Sequence, residues 1–240
     1  MTDLQQREQE CSVLRWGGIS GIIGAVLSIL VMVFVIIFMP ADPNSPIEWV
    51  SRFPDVKVIR IIENIMYLSG LLFLVPLIIA LFHALKRTNL APSLFGSVLS
   101  LIGLTSMIVS STPHIAHNKI SNMYETLAPG AADQSAMAIQ WQGIWGITDT
   151  LLYIGFFIVP IGFILLGIAM FNTPTFGKGF ALVSMILGFF GVISGLLQII
   201  DPSSPIGAIS YLSIILYGFI FSPKVYRVFK QTWKSIHNKN

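Results

Sequence analysis

QWQGIWGITDTLLYIGFFIVPIGFILLGIAMF, running from Gln140 to Phe171, carries a single formally charged side chain, and that side chain, Asp149, stands near the head of the run. The 29 residues from Gly143 to Phe171, at about 1.5 Å per residue, exceed the roughly 30 Å of a bilayer's hydrocarbon core. They read as a membrane-spanning helix over about 143–171, long enough to tilt or to kink at Pro160. The whole chain agrees with this reading: hydrophobic residues make up 54% and charged residues 10%, where soluble domains hold about 25% charged. Water is therefore not the main solvent of this fold.

Upstream of this stretch, a polar segment from His114 to Gln134 with Pro129 and Gly130 reads as a loop, preceded by a span over about 92–113. Another span covers about 61–82 and is closed by Lys86-Arg87; the short Thr88–Ala91 connection makes these two helices antiparallel neighbours. Ser45-Pro46-Ile47-Glu48 has the N-cap, N1 proline and N3 glutamate that start a helix. Its Ile47, Trp49, Val50 and Phe53 suit a short interfacial helix, separated from the first span by the break at Pro40–Pro46. That first span, about 17–39, is 23 residues without a charge. It lacks a basic n-region and a cleavage site, so it is expected to be retained as a span and insertion signal.

Downstream, spans follow at about 180–200 and 206–221, joined by Asp201-Pro-Ser-Ser-Pro205. The expectation is an all-α polytopic protein: an N-terminal segment 1–16, one six-span domain 17–223 and a basic tail 224–240. A single cysteine, Cys11, excludes an intrachain disulfide.

Six spans put both termini on one side. That side holds Arg7, Arg15, Lys86, Arg87, Lys178, Lys224, Arg227, Lys230, Lys234 and Lys239, ten cations against four (Arg52, Lys57, Arg60, Lys119) on the other. Positive residues stay in the cytoplasm, so both termini are expected there, in the plasma (inner) membrane. The tail places Val225, Tyr226, Phe229, Trp233 and Ile236 on one helical face, which suits binding to anionic inner-leaflet lipids. An ordinary positive-inside stop signal explains the same basic residues.

Counting outward from the cytoplasmic ends brings the interior ionisable groups to one depth near the outer boundary. Arg60, Glu63, Asn64 and Tyr67 share a face of span two by their i, i+3, i+4, i+7 spacing. Gln142, Trp145, Asp149 and Tyr153 share a face of span four, and Ser106, Ser110, His114 and His117 share one of span three if the helix passes through Pro113. Asp201 closes span five.

Ionisable groups at this depth face partners or water, which predicts a polar pocket open to the outside for a small-molecule or lipid ligand, or a role in a membrane assembly. The simplest pairing is Arg60 with Glu63, as a structural ion pair. The leading expectation has no cofactor and no catalysis. One alternative is a zinc-dependent hydrolase with ligands from His114, His117, Asp149, Glu63 and Asp201. Another is a proton-coupled transporter built on Asp149, although no inverted repeat is visible. Trp141 and Trp145 suit an aromatic belt.

Gly17-xxx-Gly21 and Gly191-xxx-Gly195 let helices approach closely, either within the chain or in a homo-oligomer. Nucleotide-binding loops and nucleic-acid surfaces are absent from the sequence, and the pI of about 9.1 reflects the cytoplasmic tail, not a nucleic-acid partner.

At Trp141–Gly146, Pro160–Gly167, Phe176–Phe180 and Asp201–Ile206, and in Arg60-Ile-Ile-Glu63, the chain resembles bacterial multi-pass membrane proteins that share a domain of unknown function. The resemblance covers most of spans two to six and implies a membrane protein without implying an activity. A more distant similarity is to alkaline-ceramidase-like membrane hydrolases, which hold zinc with a Ser, an Asp and three His within seven spans. Here the spans number six and the outer side offers two histidines, with His83 on the cytoplasmic side and His237 in the tail.

Overall fold

A computed structural model describes residues 3–39, 45–127, 132–202 and 204–237. Among them are seven α-helices: α1 (Asp3–Phe38), α2 (Pro46–Leu85), α3 (Leu90–Ser110), α4 (His114–Glu125), α5 (Ala132–Phe171), α6 (Gly177–Ile200) and α7 (Ala208–His237), with a 3-10 turn at Pro205–Gly207 before α7. The protein is all-α, and every helix but α4 is long and apolar enough to cross a membrane. An even number of crossings leaves both termini at the same end of the bundle. Residues 40–44, in the expected break at Pro40–Pro46, and residues 128–131, which include Pro129 and Gly130 of the expected loop, lie outside the described residues.

The helices are longer than the apolar runs that define the spans. Ser45 caps α2 by accepting the Glu48 amide at 3.3 Å. The helix then runs unbroken through Pro54 and Pro76, because proline removes one hydrogen bond yet already has a helical φ. The interfacial helix expected at Ile47–Phe53 is thus the first part of span two. Likewise the segment expected to be a loop, His114–Gln134, holds α4 and the start of α5. At 40 residues each, α2 and α5 extend for about 60 Å, roughly twice the hydrocarbon thickness.

Their overhanging ends meet α4 in a small cap. Val50, Phe53, Ile120, Tyr124, Ala138 and Trp141 form its core, separate from the main core of the bundle. Buried His117, Ile120, Ser121 and Tyr124 on α4 follow i, i+3, i+4, i+7, which is why this mixed segment folds as a helix against α2 and α5.

In the bundle, α1 packs between α2 and α7, α5 packs between α3 and α6, and α2, α5 and α7 meet at the centre. Close approaches depend on glycine. A Cβ on Gly24 would lie 2.8 Å from the Gly70 carbonyl oxygen, one on Gly96 2.9 Å from that of Gly162, and one on Gly155 2.8 Å from that of Gly103. Of the two glycine pairs noted in the sequence, Gly17 abuts Ala80 and Gly21 abuts Ser222, while Gly191 abuts Pro160 and Gly195 the Phe156 backbone. Both faces are filled within the chain.

Hydroxyls tie neighbouring helices where the backbones are close: Ser20 donates to the Phe73 carbonyl at 2.6 Å, Ser184 to Phe163 at 2.7 Å and Ser210 to Gly191 at 2.7 Å. Such bonds satisfy each hydroxyl without water. The core between them is apolar and aromatic, with Phe163 and Tyr217 stacked at 3.6 Å.

At the end of the bundle that holds the termini, α1 and α7 continue as helices beyond the bounds 16 and 223 expected for the membrane domain. Val225 and Val228 join the main core, Tyr226 packs on Gly18, and Ile236 is buried. Much of the tail's apolar face therefore rests on the protein itself, while Trp233 stays 42% exposed. Glu10 on α1 pairs with Lys86 at 3.4 Å and Arg87 at 2.7 Å, pinning α1 to the end of α2.

Candidate functional site

α3 stops at Ser110, and Pro113 then caps α4. The Ser111 and Thr112 amides bond three residues back, to the Ile108 and Val109 carbonyls at 3.2 and 3.0 Å, so α3 ends in a tighter turn before Pro113, which has no amide hydrogen with which to resume the ladder. The expected face Ser106, Ser110, His114, His117 is consequently split: Ser106 donates to the Leu151 carbonyl at 2.7 Å inside the bundle, while His117 belongs to the cap. The end of α3 leaves a space between α2 and α5, which continue past it. A cavity of about 160 Å³ occupies that space, at the end of the bundle opposite both termini.

Three helices line it. From α2 come Arg60, Glu63, Asn64 and Tyr67; from the end of α3, Ser110 and Ser111; from α5, Trp145, Thr148, Asp149 and Leu152. The i, i+3, i+4, i+7 face on α2 is thus wholly in the wall, as its spacing predicts. On α5 the face is only partly there. Gln142 is exposed and one turn too far out, and Tyr153 is half-buried and packs against the main core instead.

The Arg60 guanidinium donates to Glu63 Oε2 at 3.1 Å, with both side chains mostly buried (16% and 20% exposed). It also lies over two indole rings, 5.9 Å from Trp49 and 5.7 Å from Trp145, which are themselves 5.0 Å apart. A cation over aromatic faces in a partly desolvated place gains about 0.5–2 kcal/mol, so the ion pair and the rings hold Arg60 together. Asn64 donates to the Ser111 carbonyl at 3.2 Å, fastening α2 to the end of α3. The Tyr67 hydroxyl is buried in the same wall as Ser110.

Above the cavity, the His117 imidazole is fully buried, 4.2 Å from the Trp141 ring and 5.4 Å from Trp145. Phe53 meets Trp141 edge-on at 4.8 Å. These rings join the cap core to the cavity roof, with Trp145 common to both. Trp141 is inside this stack, 2% exposed, and not at a bilayer interface belt.

The expected metal ligands are dispersed. Glu63 and Asp149 line the cavity, His117 is within the aromatic stack, Asp201 is exposed at the C-cap of α6, and the side chain of His114 lies outside the described residues. Among the described residues no three His, Cys, Asp or Glu side chains come together. Sequence reasoning missed Ser111, Thr148, Leu152 and the roofing role of Trp49. Trp49 had been separated from span two, and the other three adjoin residues already chosen.

The site is read from its own chemistry: comparison with known protein families, with curated proteins and with solved structures finds no match to this chain.

Proposed function

We infer that this integral membrane protein binds a small polar ligand in the cavity between α2, α3 and α5, as a receptor or sensor and not as an enzyme. One observation carries the reading: charged and hydrogen-bonding side chains from three helices converge on one cavity where α3 ends, beneath an aromatic roof. What sets this place apart is the Arg60–Glu63 pair and Asp149 beside hydroxyl and amide groups. A pocket with few polar groups in an otherwise apolar setting is the usual form of a small-molecule site.

The ten-to-four distribution of Lys and Arg supports cytoplasmic termini in a plasma membrane and a cavity that faces outward. Basic residues along the end of α7, including Lys224 over Phe180 at 4.9 Å and Lys230 over Tyr226 at 5.1 Å, suit the headgroups of anionic lipids on the inner leaflet. Cysteines placed at exposed Asn122 and Ser235 in a Cys11→Ala background test the orientation in intact cells. An impermeant maleimide should label the first and spare the second, and the opposite pattern would invert the topology.

Ligand binding is tested on protein in lipid nanodiscs by thermal unfolding with millimolar amines, carboxylates and neutral alcohols of four to six heavy atoms. A ligand at about 100 times its Kd adds about 2.7 kcal/mol of stability, so one class should raise the midpoint by several degrees. Leu152→Trp, which fills the cavity, should abolish that rise. If no class shifts the midpoint, or if the filled variant responds equally, the binding reading fails.

A further inference from the structure

We propose that the bundle consists of two three-helix units, one of α1, α2 and α7 and one of α3, α5 and α6, which turn against each other on an aromatic seam and so carry occupancy of the cavity to the end that holds the termini. This rests on the cavity being a binding site. The first ground is where backbone meets backbone. A Cβ on Gly17 would lie 2.7 Å from the Pro76 carbonyl oxygen, fixing α1 to α2, and one on Gly18 2.9 Å from the Tyr226 Cβ, fixing α1 to α7. In the other unit, a Cβ on Gly188 would lie 2.7 Å from the Pro160 carbonyl oxygen and one on Gly167 2.9 Å from that of Ala181, fixing α5 to α6 beside the α3 and α5 pairs described above. Contacts this close have no side chain that can rearrange, so each unit moves as a block. Among the described helices, only Gly191 comes as close across the units, 2.7 Å from Ser213 Oγ.

Between the units, ring meets ring. Tyr211 of α7 is 6.0 Å from Phe156, Tyr217 stacks on Phe163 at 3.6 Å with the planes 7° apart, and Phe221 meets Phe180 at 5.8 Å. Aromatic pairs attract over a range of offset geometries, and a small sliding of packed helices is how shear motions proceed. Ties across the seam gather toward the cap: Asn64 on the Ser111 carbonyl, Ser210 on that of Gly191, and Trp49 against Trp145. Toward the termini there remain the short connection from α2 to α3 and Lys224 over Phe180 at 4.9 Å. The cap is therefore the pivot, and movement grows toward the termini between α6 and α7.

The cavity lies between pivot and seam, and its wall is divided. Glu63, Asn64 and Tyr67 belong to one unit, Ser110, Thr148 and Leu152 to the other. Tyr67 is also 6.0 Å from Tyr211, the first ring of the seam. An occupant touches both units, so its fit depends on the angle between them, and a difference in fit is what shifts a conformational equilibrium.

The test uses the full chain in nanodiscs in a Cys11→Ala background, with distances read by double electron–electron resonance. One spin-label pair, at Ser12→Cys on α1 and Asn172→Cys after α5, spans the two units; a second, at Ser12→Cys and Gln231→Cys on α7, lies within one. Leu152→Trp supplies an occupant of the cavity from the chain itself, and Thr148→Met replaces it if that variant does not fold. The filled variant should move the spanning pair by about 2 Å or more, the size of helix shifts at switching interfaces, and leave the second pair in place. Ile147→Trp, which adds the same ring on an exposed face, should move neither. A spanning distance that stays fixed in the filled variant overturns the proposal, as does equal movement of both pairs or an equal response to Ile147→Trp. Because no added solute is involved, the two readings fail separately. A fixed distance with a solute-dependent unfolding midpoint removes transmission and leaves binding, and a moved distance with no solute response does the reverse.

Discussion

The two halves of α5 are built on opposite terms. Toward the termini, Gly155 and Gly162 meet α3 and Gly167 meets α6 so closely that an added Cβ would collide with each partner. Toward the cap, Gly143 and Gly146 lie on an exposed face with nothing within 4 Å of where a Cβ would be. The same residue type thus closes helix packing in one half and leaves open space in the other. The polar groups divide in the same way. Toward the termini, Ser20 and Ser184 donate to carbonyls of neighbouring helices, whereas the Arg60–Glu63 pair lies where α3 has ended. In a bilayer, close packing supplies much of the attraction between helices, so the half that gives it up is the half free to bind something else.

The largest effect should come from filling the closed half. Gly155→Leu places a branched side chain where a Cβ alone would sit 2.8 Å from the Gly103 carbonyl oxygen. Overpacking of this kind costs typically about 1–3 kcal/mol, and here the obstacle is backbone, which yields least. A sharp fall in the unfolding midpoint or loss of monodisperse protein is expected. An unchanged midpoint would show that α3 and α5 are not in close contact.

A smaller effect should follow from Arg60→Ala. Leaving Glu63 in the wall without its partner costs about 1–3 kcal/mol, and the two indoles lose their shared cation. The comparison is sharpened by Glu63→Gln, which keeps an acceptor for Arg60 and should cost less. Equal losses in the two variants would mean that the contact with Trp49 and Trp145 contributes nothing. Tryptophan emission should also shift in Arg60→Ala, since Trp145 borders the cavity.

How far the sequence reveals these two halves depends on the kind of signal each leaves. Charge-free runs such as 17–39 mark spans directly, because few residues other than apolar ones are tolerated in hydrocarbon. The α2 face of the cavity was legible for a related reason: Arg60, Glu63, Asn64 and Tyr67 are polar residues at helical spacing where polarity is costly. The cap was not legible. Its core on α4 mixes His117 and Ser121 with Ile120 and Tyr124, which weakens the apolar stripe, and the helix that starts at Pro46 continues through Pro54 into span two, where a separate interfacial helix was expected. The alternative with zinc placed His114 and His117 on one face with Ser106 and Ser110 if the helix passed through Pro113, and α3 ends at Ser110. What remained invisible was long-range packing, such as Trp49 meeting Trp145, which no local spacing encodes.

The smallest expected effect is also the most discriminating between the halves. In the middle of a helix glycine is about 1 kcal/mol less favourable than alanine, because its backbone loses more freedom on folding. At Gly146 there is no neighbour to collide with a methyl group, so Gly146→Ala should raise the unfolding midpoint slightly, by the stability equivalent of up to about 1 kcal/mol. Gly162→Ala should lower it, because that methyl group would meet the side chain of Ser100 and lie 2.8 Å from its amide nitrogen. Opposite signs for the same substitution on one helix would establish the division directly. A loss of stability at Gly146 would instead show that this face is covered in the membrane, and the open half would have to be redrawn as a contact.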